Sequence, residues 1–257
     1  MLHLQHVSAG YGGPDVVRDV SFDVPDGENL CILGPNGCGK TTLLRAIAAL
    51  LPSRGDIEID SKSIHRMKRR EIAANIAVMS QISGIYFSYS VYDTVMLGRY
   101  QHMRRGLLST PAHEDKACVE DCLAATGLSD LRDRQIDELS GGQLQRVFLA
   151  RTLAQQPHII LLDEPTNHLD LRHQTELVEY LKDWSQKEGH TVIGVLHDIN
   201  LALRLSDRVL FMKDGEVIGA GKAREIISPA FLQQVYGMDV AGYMRESLRK
   251  WEEFQHV

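Results

Sequence analysis

Short apolar runs alternate with stretches of helical period along most of the chain. Residues 2–7 and 17–24 predict strands. In the second, Val20, Phe22 and Val24 alternate with polar residues, as in a strand with one face in water. Pro25-Asp26-Gly27 is a turn. Residues 29–33 (NLCIL) are almost continuously apolar, which suits a strand covered on both faces. A glycine-rich loop follows, then a predicted helix from about Lys40 to Leu51, with Leu43, Ile47 and Leu50 on one face and Pro52 as its stop.

Further strands are predicted at 57–60, 76–80, 158–163, 191–196 and 208–213. Helices are predicted at 68–75, from about 112 to 126 with closure at Gly127, at about 143–155, at about 173–188 and at about 199–205. Ser90 and Asp93 have capping-box spacing ahead of Val95, Met96 and Leu97, and Asp214-Gly215 reads as a turn. The alternation predicts an α/β fold with a mainly parallel sheet, an antiparallel N-terminal piece and a helical insertion over 90–139.

Composition narrows this picture. With 257 residues, 44% hydrophobic and 24% charged, there is material for one large domain or two small ones, with ample core. A net charge of -6 argues against nucleic acid as a partner, because a phosphate backbone demands a basic footprint. The N-terminus has no basic, then apolar, signal-like pattern, and no run approaches the roughly 18 apolar residues of a span. Any membrane role is therefore expected to come through partners. Cys31, Cys38, Cys118 and Cys122 match no zinc or redox spacing, which fits a reducing cytosol.

Two motifs carry chemistry. Gly34-Pro35-Asn36-Gly37-Cys38-Gly39-Lys40-Thr41 fits G-x-x-x-x-G-K-[ST] between an apolar strand and an amphipathic helix. The glycines let successive N–H groups face phosphate oxygens, and the helix N-terminus adds positive potential. Lys40 is expected to neutralise the β- and γ-phosphates, Thr41 to ligate Mg²⁺, and Thr42 to add a phosphate contact. The second motif is the apolar strand ending in Asp163-Glu164. Asp163 is expected to hold Mg²⁺, and Glu164, pointing to the opposite side, to polarise a water.

Leu139-Ser140-Gly141-Gly142-Gln143 then resembles the signature of ABC (ATP-binding cassette) ATPases. Gln81 is similar in place to the family's Q-loop glutamine, Asn167-His168-Leu169-Asp170 to its D-loop, His197 to its switch histidine and Tyr11 to its adenine-stacking aromatic. The resemblance covers about residues 2–236. It implies a P-loop NTPase core in one domain over 1–257, with a helical subdomain over about 85–155 and a short C-terminal extension over about 237–257. It implies ATP and Mg²⁺ as ligands. In such a site Glu164 is the general base, His197 and Gln81 position the water, metal and γ-phosphate, and Lys40 stabilises charge.

The resemblance also implies a head-to-tail dimer with a second copy. Ser140, Gly141, Gly142 and Gln143 of one chain would close on the nucleotide of the other, with Asp170 tying the two together. Residues 90–99 and 167–174 resemble cassettes of bacterial iron-siderophore, haem and cobalamin importers. That implies two integral-membrane permease subunits docked over 81–110, a substrate-binding protein, and a place on the cytoplasmic face of the cell membrane. The alternative is a non-transport ABC ATPase, such as one serving iron–sulfur cluster assembly. Met244, Leu248 and Trp251 have helical spacing in the tail, which is expected to pack on its own domain or on a partner.

Overall fold

The computed structural model describes residues 1–80, 89–103, 111–167, 169–187 and 189–254. Strands β1 (Leu2–Ala9), β2 (Val17–Val24), β4 (Ser53–Ile59) and β5 (Lys62–Ser63) form an antiparallel sheet in the order β2-β1-β4-β5. Strands β3 (Leu30–Leu33), β6 (Ile76–Ser80), β7 (Ile159–Asp163), β8 (Thr191–Val195), β9 (Arg208–Lys213) and β10 (Glu216–Lys222) form the second sheet, ordered β10-β9-β3-β8-β7-β6. Its pairings are parallel except the β9–β10 hairpin.

The unbroken apolar runs are explained by this sandwich. Within β3, Leu30 and Ile32 face a core shared with the antiparallel sheet and helix α1 (Lys40–Ile47). Cys31 and Leu33 face a second core. That core is closed by α5 (Gly141–Ala154), α6 (Leu171–Ser185), α7 (Ile199–Leu205) and α9 (Pro229–Tyr236). Both faces are dry, so no alternation remains to be read. Each such side chain contributes about 1.5–3 kcal/mol by leaving water.

Helix α1 ends four residues earlier than its apolar pattern predicts. Ala49 turns to φ 53°, and the Leu50 N–H folds back onto the Arg45 carbonyl at 2.8 Å. Leu50 is consequently exposed rather than part of the buried face. The strand expected at 57–60 begins instead at Ser53, because β4 pairs along β1 up to Ala9.

Helix α2 (Arg69–Asn75) leads into β6. Helices α3 (Val91–Met96) and α4 (His113–Ala125) pack with α5 as a helical layer. Ser90 caps α3 as its spacing predicts, accepting from the Asp93 N–H at 3.0 Å. The layer is pinned by Arg99, which is buried. Its Nε donates to Asp115 at 3.0 Å, and its Nη1 donates to the Ala154 carbonyl and to Gln156, each at 2.8 Å. Gly98 lies so close to the Arg151 carbonyl of α5 that a β-carbon would overlap it. Beyond β10 come α8 (Ala223–Ile226), α9, which starts at an N-cap Ser228 followed by Pro229 and ends at a left-handed Gly237, and α10 (Val240–Phe254). Met244 of α10 packs on the core, whereas Leu248 and Trp251 are exposed. No helix among the described residues is long and apolar enough to cross a membrane.

Candidate functional site

The loop from Gly34 to Gly39 begins where β3 ends. Gly34 has φ 142°, and a β-carbon there would overlap the Met212 carbonyl of β9, so no other residue fits. Gly37 and Gly39 also have positive φ, with Gly39 as the N-cap of α1. Asn36 and Gly37 form the exposed crest, Pro35 is half-buried, and Cys38 and Thr42 are buried. The β9–β10 turn braces the loop from outside, with the Gly215 N–H donating to the Cys38 carbonyl at 3.1 Å.

Lys40 is only 5% exposed, and its ammonium donates to the carbonyls of Gly34 and Pro35, both at 2.8 Å. The loop thus wraps a fixed positive charge. Burial pushes the Cys38 thiol pKa up, against the opposing pull of Lys40. Cys38 therefore stays a thiol, the form that packs rather than the thiolate that reacts.

Parallel strands deliver the acids. Asp163 ends β7, and its Oδ1 accepts from the Thr41 hydroxyl at 2.7 Å. Burial raises the Asp163 pKa, with the neighbouring Glu164 charge adding to it, so this carboxylate lacks a full counter-charge. The two oxygens form a hard donor set of the kind that suits a small divalent cation.

Glu164 leaves the strand with φ 53°, a conformation that is costly for a side chain of this size. Its N–H donates to the Val195 carbonyl of β8 at 3.1 Å. The turn sends its carboxylate away from Thr41 and toward His197, which follows β8. Nε2 of His197 lies 2.7 Å from Glu164 Oε1, and the Asn167 amide donates to Oε2 at 2.7 Å. Both oxygens of the proposed base are therefore held.

Asn167 enters as a positioning group that the sequence reading quoted only as part of a motif. Its place three residues after Glu164, in the same turn, is the signal that points to it. Arg45 is a second residue the reading missed. From α1 its Nη1 donates to the Tyr11 hydroxyl at 3.1 Å, and its charge is felt at Asp163. Tyr11, 57% exposed, is thereby drawn beside the loop's helix with its ring available for stacking.

Ser140 and Gly141 are exposed at the start of α5. The Ser140 hydroxyl accepts from the Gln143 N–H at 3.3 Å, and the Gln143 side chain accepts from the Ser140 N–H at 2.9 Å. The capping box closes around them, and the amides of Gly141 and Gly142 lie at the helix's positive end. Among the described residues no hydrogen bond joins 140–143 to the loop 34–41. From α5 the Gln145 amide donates to the Pro165 carbonyl, in the turn after Glu164, at 2.7 Å. Asp170, also exposed, caps α6 by accepting from the His173 N–H at 2.9 Å. Gln81 and His168 lie outside the described residues.

A phosphate-cradling loop with a lysine at its centre, beside two strand-end acids and a histidine, defines a nucleotide-hydrolysing cassette. The chain belongs to the ABC transporter family, whose family model matches residues 17–167. It is an ATP-binding, ATP-hydrolysing member. It is 36% identical over 235 residues to the ferric enterobactin transport ATP-binding protein FepC of Escherichia coli (strain K12), covering 91% of this chain and 86% of that one. It is also 36% identical over 240 residues to the iron(3+)-hydroxamate import ATP-binding protein FhuC of Bacillus subtilis (strain 168), covering 93% and 88%. Among solved structures it resembles a dimeric ATP-binding cassette in a post-hydrolysis state with ADP and Pi, at TM-score 0.74 and 31% identity, covering 86% of this chain and 98% of that one.

Proposed function

We propose that this chain is the ATP-hydrolysing subunit of an importer for an iron chelate or a related metal chelate. In this reading it works as a head-to-tail homodimer on the cytoplasmic face of a pair of membrane permease subunits fed by a substrate-binding protein. One observation carries the mechanism: Glu164 is gripped on both oxygens, by His197 and Asn167, beside the Thr41–Asp163 pair and the Lys40 loop. Likeness to siderophore-import cassettes over more than nine-tenths of the chain supports the cargo class.

The single domain, with its helical subdomain over about 85–155 and C-terminal extension over about 237–257, is part of the same proposal. Tyr11 stacks on the base, and the loop and helix start over 34–42, through their backbone N–H groups other than at Pro35, cradle the phosphates with Lys40. Thr41 and Asp163, with Gln81, would hold Mg²⁺; when bound, the ion neutralises charge on the β- and γ-phosphates. Glu164 takes a proton from the attacking water while His197 orients its carboxylate. Lys40 and the backbone amides stabilise charge building on the γ-phosphoryl oxygens. Ser140, Gly141, Gly142 and Gln143 of the second copy supply the remaining anion contacts.

Two measurements test this. Glu164→Gln is expected to bind ATP, to slow phosphate release by about 10²–10⁴-fold and to accumulate as a dimer; near-normal turnover removes Glu164 from its role. Isolated from membranes, the native complex is expected to contain hydrophobic permease subunits and to hydrolyse ATP faster with a loaded iron-chelate-binding protein. A complex free of membrane subunits overturns the transport reading.

A further inference from the structure

Asp170 and the signature turn stand on different helices, α6 and α5, yet one side chain touches both. The His173 Nδ1 lies 2.7 Å from Asp170 Oδ1, the same oxygen that accepts the His173 backbone N–H. The face of its ring lies over Gly142. A β-carbon at Gly142 would come within 2.5–2.8 Å of three ring atoms, so only glycine admits the ring. Beyond the ring lies a cavity of about 110 Å³, lined in part by Arg146 and Glu176. Packing alone therefore does not fix the imidazole on every side, and the bond to Asp170 supplies its orientation.

We propose that His173 is a positioning residue that makes Asp170 and the signature turn one rigid body. It fixes the distance between the two groups this chain offers to the second copy's nucleotide. The inference rests on the shared-site reading above. It follows from two facts. Both contacts from His173 fall on Asp170 Oδ1, and the Asp170 side chain is 65% exposed, which leaves an edge of the carboxylate open to a partner. The first turn of α5 is exposed at Ser140 and Gly141 and buried only at Gly142, where the ring rests. A displaced ring would leave Asp170 held by its N-cap bond alone and would uncouple it from the first turn of α5. Two contacts that must meet the same nucleotide would then lose their shared geometry, with a cost in the closed state alone.

The test uses the full chain with His173→Ala and His173→Phe, the second keeping a ring on Gly142 while losing the bond to Asp170. In the Glu164→Gln background, ATP-driven dimerisation is measured by sedimentation; in the wild-type background, kcat and KM are measured. Both variants are expected to show dimerisation and kcat lowered about tenfold, with unchanged KM and unchanged ATP affinity of the isolated subunit. A folded His173→Phe protein with normal dimerisation and kcat overturns the inference, as does a loss that appears equally in the subunit's own ATP affinity. If Glu164→Gln with His173 intact fails to dimerise on ATP, the shared-site reading itself fails first.

Discussion

The nucleotide loop and the signature turn are both glycine-rich helix starts, and they are finished to different degrees. Around the loop, each charged group is held: Lys40 by the Gly34 and Pro35 carbonyls of its own loop, and the two acids by residues from other parts of the chain, Asp163 by Thr41 and Glu164 by His197, with Asn167 added from its own turn. Four parallel strands converge there, and burial fixes the geometry. At the signature, Ser140 and Gly141 face solvent and are shaped by contacts within their own turn. The first is a site built by a core, and the second is an exposed turn, the surface that the proposed second copy would meet.

The contrast can be broken from behind, from the front or at the base. Arg99→Met would leave Asp115 buried without its counter-charge, held among the described residues only by the Ala112 N–H. A loss of about 3–5 kcal/mol is expected, read as a lower midpoint in denaturant, while the folded protein keeps its ATP affinity. Ser140→Arg places a bulky cation on the exposed turn. Hydrolysis is expected to fall by about 10²–10³-fold, with ATP binding to the isolated subunit intact; equal weakening of both would merge the two halves into one site. Asn167→Ala releases one oxygen of Glu164 and should lower kcat about tenfold, within the usual worth of a charge-assisted hydrogen bond, without changing KM.

The smallest effect concerns Asp163. Its pKa is raised in the folded chain, so its contribution to stability is present below the ordinary carboxylate pKa and is lost as pH rises through the folded value. Asp163→Asn is therefore expected to raise the melting temperature of the nucleotide-free protein near neutral pH. The gain should shrink as pH falls into the carboxylate range. A gain that does not depend on pH would place the effect elsewhere.

Much of this was legible in the chain. The runs at 29–33, 158–163 and 191–196 declared strands buried on both faces, and the two phosphate motifs stood in the expected strand–loop–helix frame. The structure brings Tyr11, Lys40, Thr41, Asp163, Glu164 and His197 to one end of the sheet system. What escaped notice has physical reasons. The end of α1 is set by a left-handed Ala49, which has no composition signal. The roles of Asn167, Arg45 and His173 depend on which side chains meet across turns and helices, and spacing in one dimension does not record that. Arg99 looks like a surface charge in the sequence, because its partners Asp115, Ala154 and Gln156 lie up to 57 residues away.

The folded-back Lys40 has one further consequence. Its ammonium is already solvated, by two carbonyl oxygens instead of water. Nucleotide entry is therefore a swap of ligands on a charge the protein has itself hydrated, and departure of ADP and phosphate is the reverse swap.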